Sequence, residues 1–302
     1  MSKRLRTTRH ALAAATAVLT PALAACGAGT GSDHTSGMPG MNHSGTPSAS
    51  AGAMASMPGM AGAATGNGLA AAKDGYRMTS TAGSLPAGKA TDYRFTITGP
   101  DGNPVTDFAV DQTKRMHFYA VRTDLTGFQH LHPTIAEDGT WTAPLAALQS
   151  GTWRLYASFT PESGTGKGKD FVLSRTVKVS GMAMTTSLPK ASGTTAVDGY
   201  TVTVKGDLMA GMAHQLTATV SKDGKPVTDL QPYLDTYAHL TAFHEGDLAF
   251  AHLHPETKVD GDHGGPALTF HAEFAQSGNW RLFLQFQTGG TLHTAALTLH
   301  VG

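Results

Sequence analysis

The 302-residue sequence contains one cysteine. A single thiol builds no intramolecular disulfide framework and no Cys-cluster metal site. Charged residues make up only 15%, and they balance at 22 Lys+Arg against 22 Asp+Glu. With no basic excess and no basic stripe, nucleic acid is not an expected partner. Aromatics are 7%, and no long amphipathic helical period appears. The longest apolar run, Ala11 to Ala25, is too short and too near the start for a comfortable membrane span. Enzyme signatures are missing as well. There is no Gly-x-Ser-x-Gly elbow, no His-Glu-x-x-His and no phosphate-binding glycine loop. His244-Glu245 lacks a correctly spaced second His. No catalytic residue is predicted, and the reading is non-enzymatic.

What is present in excess is Gly (36), His (15) and Met (12). The lone cysteine has a context. Lys3, Arg4, Arg6 and Arg9 precede the apolar run, which ends Leu23-Ala24-Ala25-Cys26. That ending resembles the lipobox of bacterial lipoproteins. The resemblance implies that residues 1–25 are a signal peptide and that the Cys26 thiol carries a diacylglycerol. The mature chain would then be anchored to the outer face of the cell membrane, extracytoplasmic, by buried acyl CH₂ groups worth about 0.8 kcal/mol each. Removing the leader leaves 18 Lys+Arg against 22 Asp+Glu, a net charge of −4. The alternative is ordinary secretion with a free thiol.

Residues 26–71 read as a disordered tether, nearly all Gly, Ala, Ser, Thr, Pro and Met. Met38, Met41, Met54, Met57 and Met60 lie in it with His34 and His43. A methionine in a polar coil buries nothing, whereas thioethers are soft ligands that select Cu(I). One reading is a mobile copper-collecting arm; the other is compositional drift in a low-complexity linker.

The remainder is one module written twice. Asp101–Phe108 (DGNPVTDF) answers Asp223–Leu230 (DGKPVTDL) at an offset of 122. The offset holds through His117 and His239, and through His130-Leu131-His132-Pro133 and His252-Leu253-His254-Pro255. Gly151-Thr152-Trp153-Arg154-Leu155 answers Gly278-Asn279-Trp280-Arg281-Leu282 at 127, with the extra residues in the loop around Val259–Gly265. The expected domains are 72–183 and 188–302. Short alternating stretches such as Tyr93–Thr98 and Leu216–Val220, ended by Asp-Gly turns, predict strands. The expected fold is all-β: two tandem immunoglobulin-like β-sandwich domains, with Trp153 and Trp280 filling their cores.

On a strand, the two imidazoles of His-Leu-His share a face. A hairpin turning at Thr123–Gly127 has a pairing sum near 250, which brings His117 beside His130 and His132. The second copy, with a sum near 494, gathers His239, His252 and His254. Three nitrogens suit Cu(II) or Zn(II) with one position left open. The alternative for each histidine is a structural hydrogen bond. The second module also carries His214, His263, His271 and His300, together with His244, aligned with Arg122, and His293, aligned with Phe171. These make it the stronger expected metal binder. Imidazoles bind when neutral, so affinity is expected to fall below about pH 6.5. Met116 is expected in the core.

The stretch Met116–Pro133 (MHFYAVRTDLTGFQHLHP) resembles the hairpin of the secreted bacterial YtkA/FixH-like group, and Ala238–Pro255 keeps its His, Phe and His-Leu-His-Pro. The resemblance implies immunoglobulin-like domains associated with copper or heavy-metal handling. No Cys-and-axial-Met set for electron transfer is present. The sequence therefore reads as a membrane-anchored copper-binding (alternatively zinc-binding) lipoprotein for buffering, delivery or resistance. It would pass metal to a membrane transporter or an apo-metalloprotein. A cell-surface scaffold of tandem modules is the alternative.

Overall fold

The computed structural model describes residues 67–302. The leader, Cys26 and every methionine and histidine assigned to the tether lie outside the described residues. The last part of the stretch read as tether does belong to the fold. The Asn67 carbonyl accepts from the Phe250 N–H at 2.8 Å, and the Leu69 carbonyl accepts from Arg154 Nη1 at 2.8 Å. Gly68 sits between them at φ +69°. A Cβ there would lie 2.9 Å from Val172 and 3.1 Å from Phe250, so the close approach and the left-handed backbone both call for glycine.

All regular elements among the described residues are strands. The first ten are β1 (Ala72–Lys73), β2 (Tyr76–Thr79), β3 (Ser84–Leu85), β4 (Thr91–Thr98), β5 (His117–Arg122), β6 (Phe128–Leu131), β7 (Thr134–Ile135), β8 (Thr140–Leu145), β9 (Gly151–Phe159) and β10 (Phe171–Val179). They form two facing sheets, β1-β2-β4-β8-β7 and β3-β10-β9-β5-β6. Alternation builds the core between them. Tyr93, Phe95 and Ile97 of β4 point inward, against Phe118, Trp141, Trp153 and Leu155. Met116 is buried in this core. Trp153 donates its indole N–H to the Gln149 carbonyl at 2.8 Å, which satisfies the one polar atom that its burial would otherwise strand.

The second sandwich repeats the plan with β11 (Thr194–Val197), β12 (Tyr200–Lys205), β13 (Ala213–Lys222), β14 (Lys225–Pro226), β15 (Ala238–His244), β16 (Phe250–Pro255), β17 (Ala267–Glu273), β18 (Gly278–Thr288) and β19 (Thr291–Val301). Leu216, Ala218 and Val220 line its core with Trp280, whose N–H goes to the Gln276 carbonyl at 3.1 Å. One difference matters below. In the first sandwich the strand breaks at His132-Pro133, between β6 and β7. In the second, β16 runs on through His254 and Pro255 to pair with β17, joining both layers into one nine-stranded sheet.

Strands β5 and β15 are buried on both faces. Phe118 and Ala120 enter the first core, while Tyr119 and Val121 point outward. The outward pair meets Phe243, Leu248, Phe250 and Phe283 of the second sandwich in a third apolar cluster. The two modules are thus docked sheet against sheet. Tyr156 of β9 donates its hydroxyl across the junction to the Leu248 carbonyl at 2.5 Å.

Candidate metal site at the domain junction

The histidines lie along the edge of this junction. In the β5–β6 hairpin, Phe118 pairs with Leu131 and Tyr119 with His130. The register sum is 249, so His117 stands opposite His132. The rings converge. Centroids lie 5.3 Å apart for His117–His130, 5.1 Å for His117–His132 and 4.7 Å for His130–His132. One ligand nitrogen from each falls within 4.8 Å of the others. An ion held at 2.0–2.1 Å by three imidazole nitrogens in tetrahedral arrangement would set ring centres about 5.2 Å apart. The spacing fits, and the three imidazoles can coordinate one ion.

The outer hydrogen bonds assign the tautomers. His117 Nε2 lies 3.1 Å from the Asp111 carbonyl oxygen, which only accepts, so Nε2 carries the proton. His130 Nδ1 lies 2.7 Å from Gln285 Oε1, and the amide's Nε2 end is given to Thr294 Oγ1. His130 therefore donates from Nδ1. The inner nitrogens, His117 Nδ1 and His130 Nε2, are left as two lone pairs facing each other at 3.0 Å. Two facing lone pairs repel unless a cation lies between them. His132 Nε2 is buried with no hydrogen-bond partner. A bare inner nitrogen, with the outer N–H held by a carbonyl or amide oxygen, is how ligating histidines are oriented in metal sites.

Electrostatics disfavours a proton as that cation. Burial, more than any other cause, lowers the basicity of all three rings. It holds His132 down to about 3, with the neighbouring His117 adding to the effect. His130 is pushed well below its ordinary value by burial, then by His117 and His132. His117 falls for the same first reason, against a smaller upward pull from the Asp111 carbonyl.

Of the second trio, His239 and His254 are described, and the His252 side chain lies outside the described residues. His239 is buried at the junction, and its ring lies 6.3 Å from His117 and 5.7 Å from His130. His254 is exposed and pairs in register with His271, because β16 stays in the ladder where the first module breaks. His252 lies on β16 opposite Thr241. Among the described residues the three-histidine cluster belongs to the first module. Of the further histidines, His244 and His293 are occupied elsewhere. His244 has Nδ1 on Asp247 Oδ1 at 2.8 Å and Nε2 on the Ser277 carbonyl at 3.1 Å. His293 has Nδ1 on Asp198 Oδ2 at 2.8 Å and Nε2 on Thr288 Oγ1 at 3.0 Å.

Sequence reasoning did not find Gln285, Asp111 or Tyr233. Gln285 does carry a signal, as a polar residue inside the apolar run Leu282–Phe286. Asp111 and Tyr233 each precede their histidine by the same interval, 122 apart like the histidines themselves.

No curated protein matches the sequence. Among solved structures, a DUF4426 family protein from Pseudomonas aeruginosa is similar over 36% of this chain and 96% of its own, at 9% identity and a TM-score of 0.28. The Escherichia coli adhesin FdeC is similar over 76% of this chain and 65% of its own, at 15% identity and a TM-score of 0.23. InvD of Yersinia pseudotuberculosis is similar over 75% and 57%, at 16% identity and a TM-score of 0.24. This chain thus spans less than two thirds of FdeC and InvD. A family profile described as "Domain of unknown function (DUF8832)" matches residues 70–179 and again 195–302. The chain belongs to the DUF8832 family and carries its domain twice in tandem.

Proposed function

We propose that the protein is a non-catalytic metal-binding lipoprotein, displayed outside the cell membrane from a diacylglycerol on Cys26. In this reading one ion is held by His117 Nδ1, His130 Nε2 and His132. The observation that carries the proposal is the 3.0 Å approach of His117 Nδ1 to His130 Nε2, with the outer nitrogens of both rings facing carbonyl or amide oxygens, beside a partnerless His132 Nε2. Imidazole donors without thiolate suit Cu(II) and Zn(II). Copper is favoured by a second observation. Met182, Met184, Met209 and Met212 are 93%, 80%, 55% and 52% exposed. Packing does not account for those side chains, and thioethers are ligands for Cu(I). The resemblance of Met116–Pro133 to the YtkA/FixH-like hairpin fits the same role. Metal would pass by ligand exchange to a membrane transporter or an apo-metalloprotein.

Calorimetric titration of residues 26–302 with Cu(II) and with Zn(II) tests the proposal. One ion per chain is expected, with affinity lost in His130→Ala and in His132→Ala. An unmodified chain that binds neither ion would overturn it and leave a surface scaffold of two sandwiches.

A further inference from the structure

We propose that the second sandwich completes the site: His239 supplies a fourth imidazole, so that one ion ties the two modules together. This rests on the three-histidine reading and adds a regulatory consequence to it. His239 lies on β15 directly opposite Gln285 on β18. Gln285 already reaches across the junction to His130 at 2.7 Å. The same face of the same strand pair therefore delivers a second polar group to the cluster.

The tautomer of His239 suits the role. Its Nε2 lies 2.9 Å from the Tyr233 carbonyl oxygen and must donate to it. The lone pair is left on Nδ1. His117 is held in the same way by the Asp111 carbonyl at 3.1 Å, so the repeat places one oriented imidazole on each side of the junction. The ring distances of 5.7 and 6.3 Å to His130 and His117 exceed the tetrahedral spacing of about 5.2 Å by roughly an ångström or less. Closing that difference takes a local movement of the His239 ring, because the stacked Phe128 and Phe283 rings, 4.1 Å apart, already hold the two sandwiches in contact. By linkage, metal then favours the docked arrangement, and docking favours metal.

The test uses the whole mature chain. After loading with Cu(II), the bound imidazoles are counted by pulsed electron paramagnetic resonance. Hydrogen–deuterium exchange is followed on β5 and β15 with and without metal. Four imidazoles are expected in the unmodified protein and three in His239→Gln, with affinity reduced at least about tenfold. Metal should slow exchange on both strands in the unmodified chain, and on β5 alone in the variant. Three imidazoles in the unmodified chain overturn the inference while sparing the three-histidine site. That count needs no variant, so a misfolded His239→Gln does not block the decision. A chain that takes up no Cu(II) overturns this inference, and one that takes up neither Cu(II) nor Zn(II) overturns both.

Discussion

Phe128 of the first sandwich lies flat against Phe283 of the second, with ring centroids 4.1 Å apart and planes 6° from parallel. The stack sits in the apolar cluster beside the histidines, so the contact that docks the modules also sets the distance from His239 to the trio. Phe283 is 4% exposed. Truncating it should cost about 3–5 kcal/mol of stability. Phe283→Ala should also weaken metal binding, although it removes no ligand. Denaturant unfolding and a metal titration on the same preparation check both effects. Lost stability with unchanged affinity would separate docking from the site.

Gln285 should behave as a positioning residue. It accepts the His130 Nδ1–H and so keeps Nε2 bare. Gln285→Leu removes that acceptor, and metal affinity should fall about 10- to 100-fold. Gln285→Glu retains an acceptor and should bind more tightly than the Leu variant. Equal affinities for the two would show that the amide does not orient the ring.

Stability should depend on pH through the same rings. Burial holds His239 down to about 4, with the Tyr233 carbonyl pulling weakly the other way. An unfolded imidazole titrates near 6.5. Between those values the unfolded chain binds a proton that the folded chain refuses. The stabilisation is therefore fully present above about pH 6.5 and is lost as pH falls toward 4. For His239 alone the loss from pH 7 to pH 5 is about 2 kcal/mol. His117, His130 and His132 shift in the same direction. Urea midpoints at pH 7 and pH 5 test this. The same burial leads to a different expectation from a collapse of binding below about pH 6.5. Rings that are neutral at pH 5 compete little with protons, so equilibrium dialysis at pH 5.5 should still find metal bound to folded protein.

His293 provides the contrast. Both its nitrogens are engaged, by Asp198 and Thr288, away from the trio. His293→Ala should cost about 1–3 kcal/mol of stability and change metal affinity by less than about twofold. A large drop in affinity would place a ligand where the hydrogen bonds leave none.

The hairpin of the first module was legible from its residues. The His-Leu-His spacing and the length of the Thr123–Gly127 turn lead to a register sum near 250, and the strands pair at 249. The tandem repeat was equally plain, because long-range identity at a fixed offset depends on no structure. What stayed hidden is how the copies face one another. Repetition suggests two like sites, whereas docking places His239 beside the first trio. One signal did exist. Phe118 and Ala120 alternate with Tyr119 and Val121, and a strand apolar on both faces is covered on both. Tyr119 and Val121 needed a partner, and only the other module supplies one.

The most direct measurement is an anomalous difference map from crystals soaked in Cu(II) or Zn(II). The metal site predicts one strong peak about 2.0–2.1 Å from His117 Nδ1 and His130 Nε2, with His132 in the same shell. Peaks confined to surface groups, with those two nitrogens still facing each other and nothing between them, would contradict it.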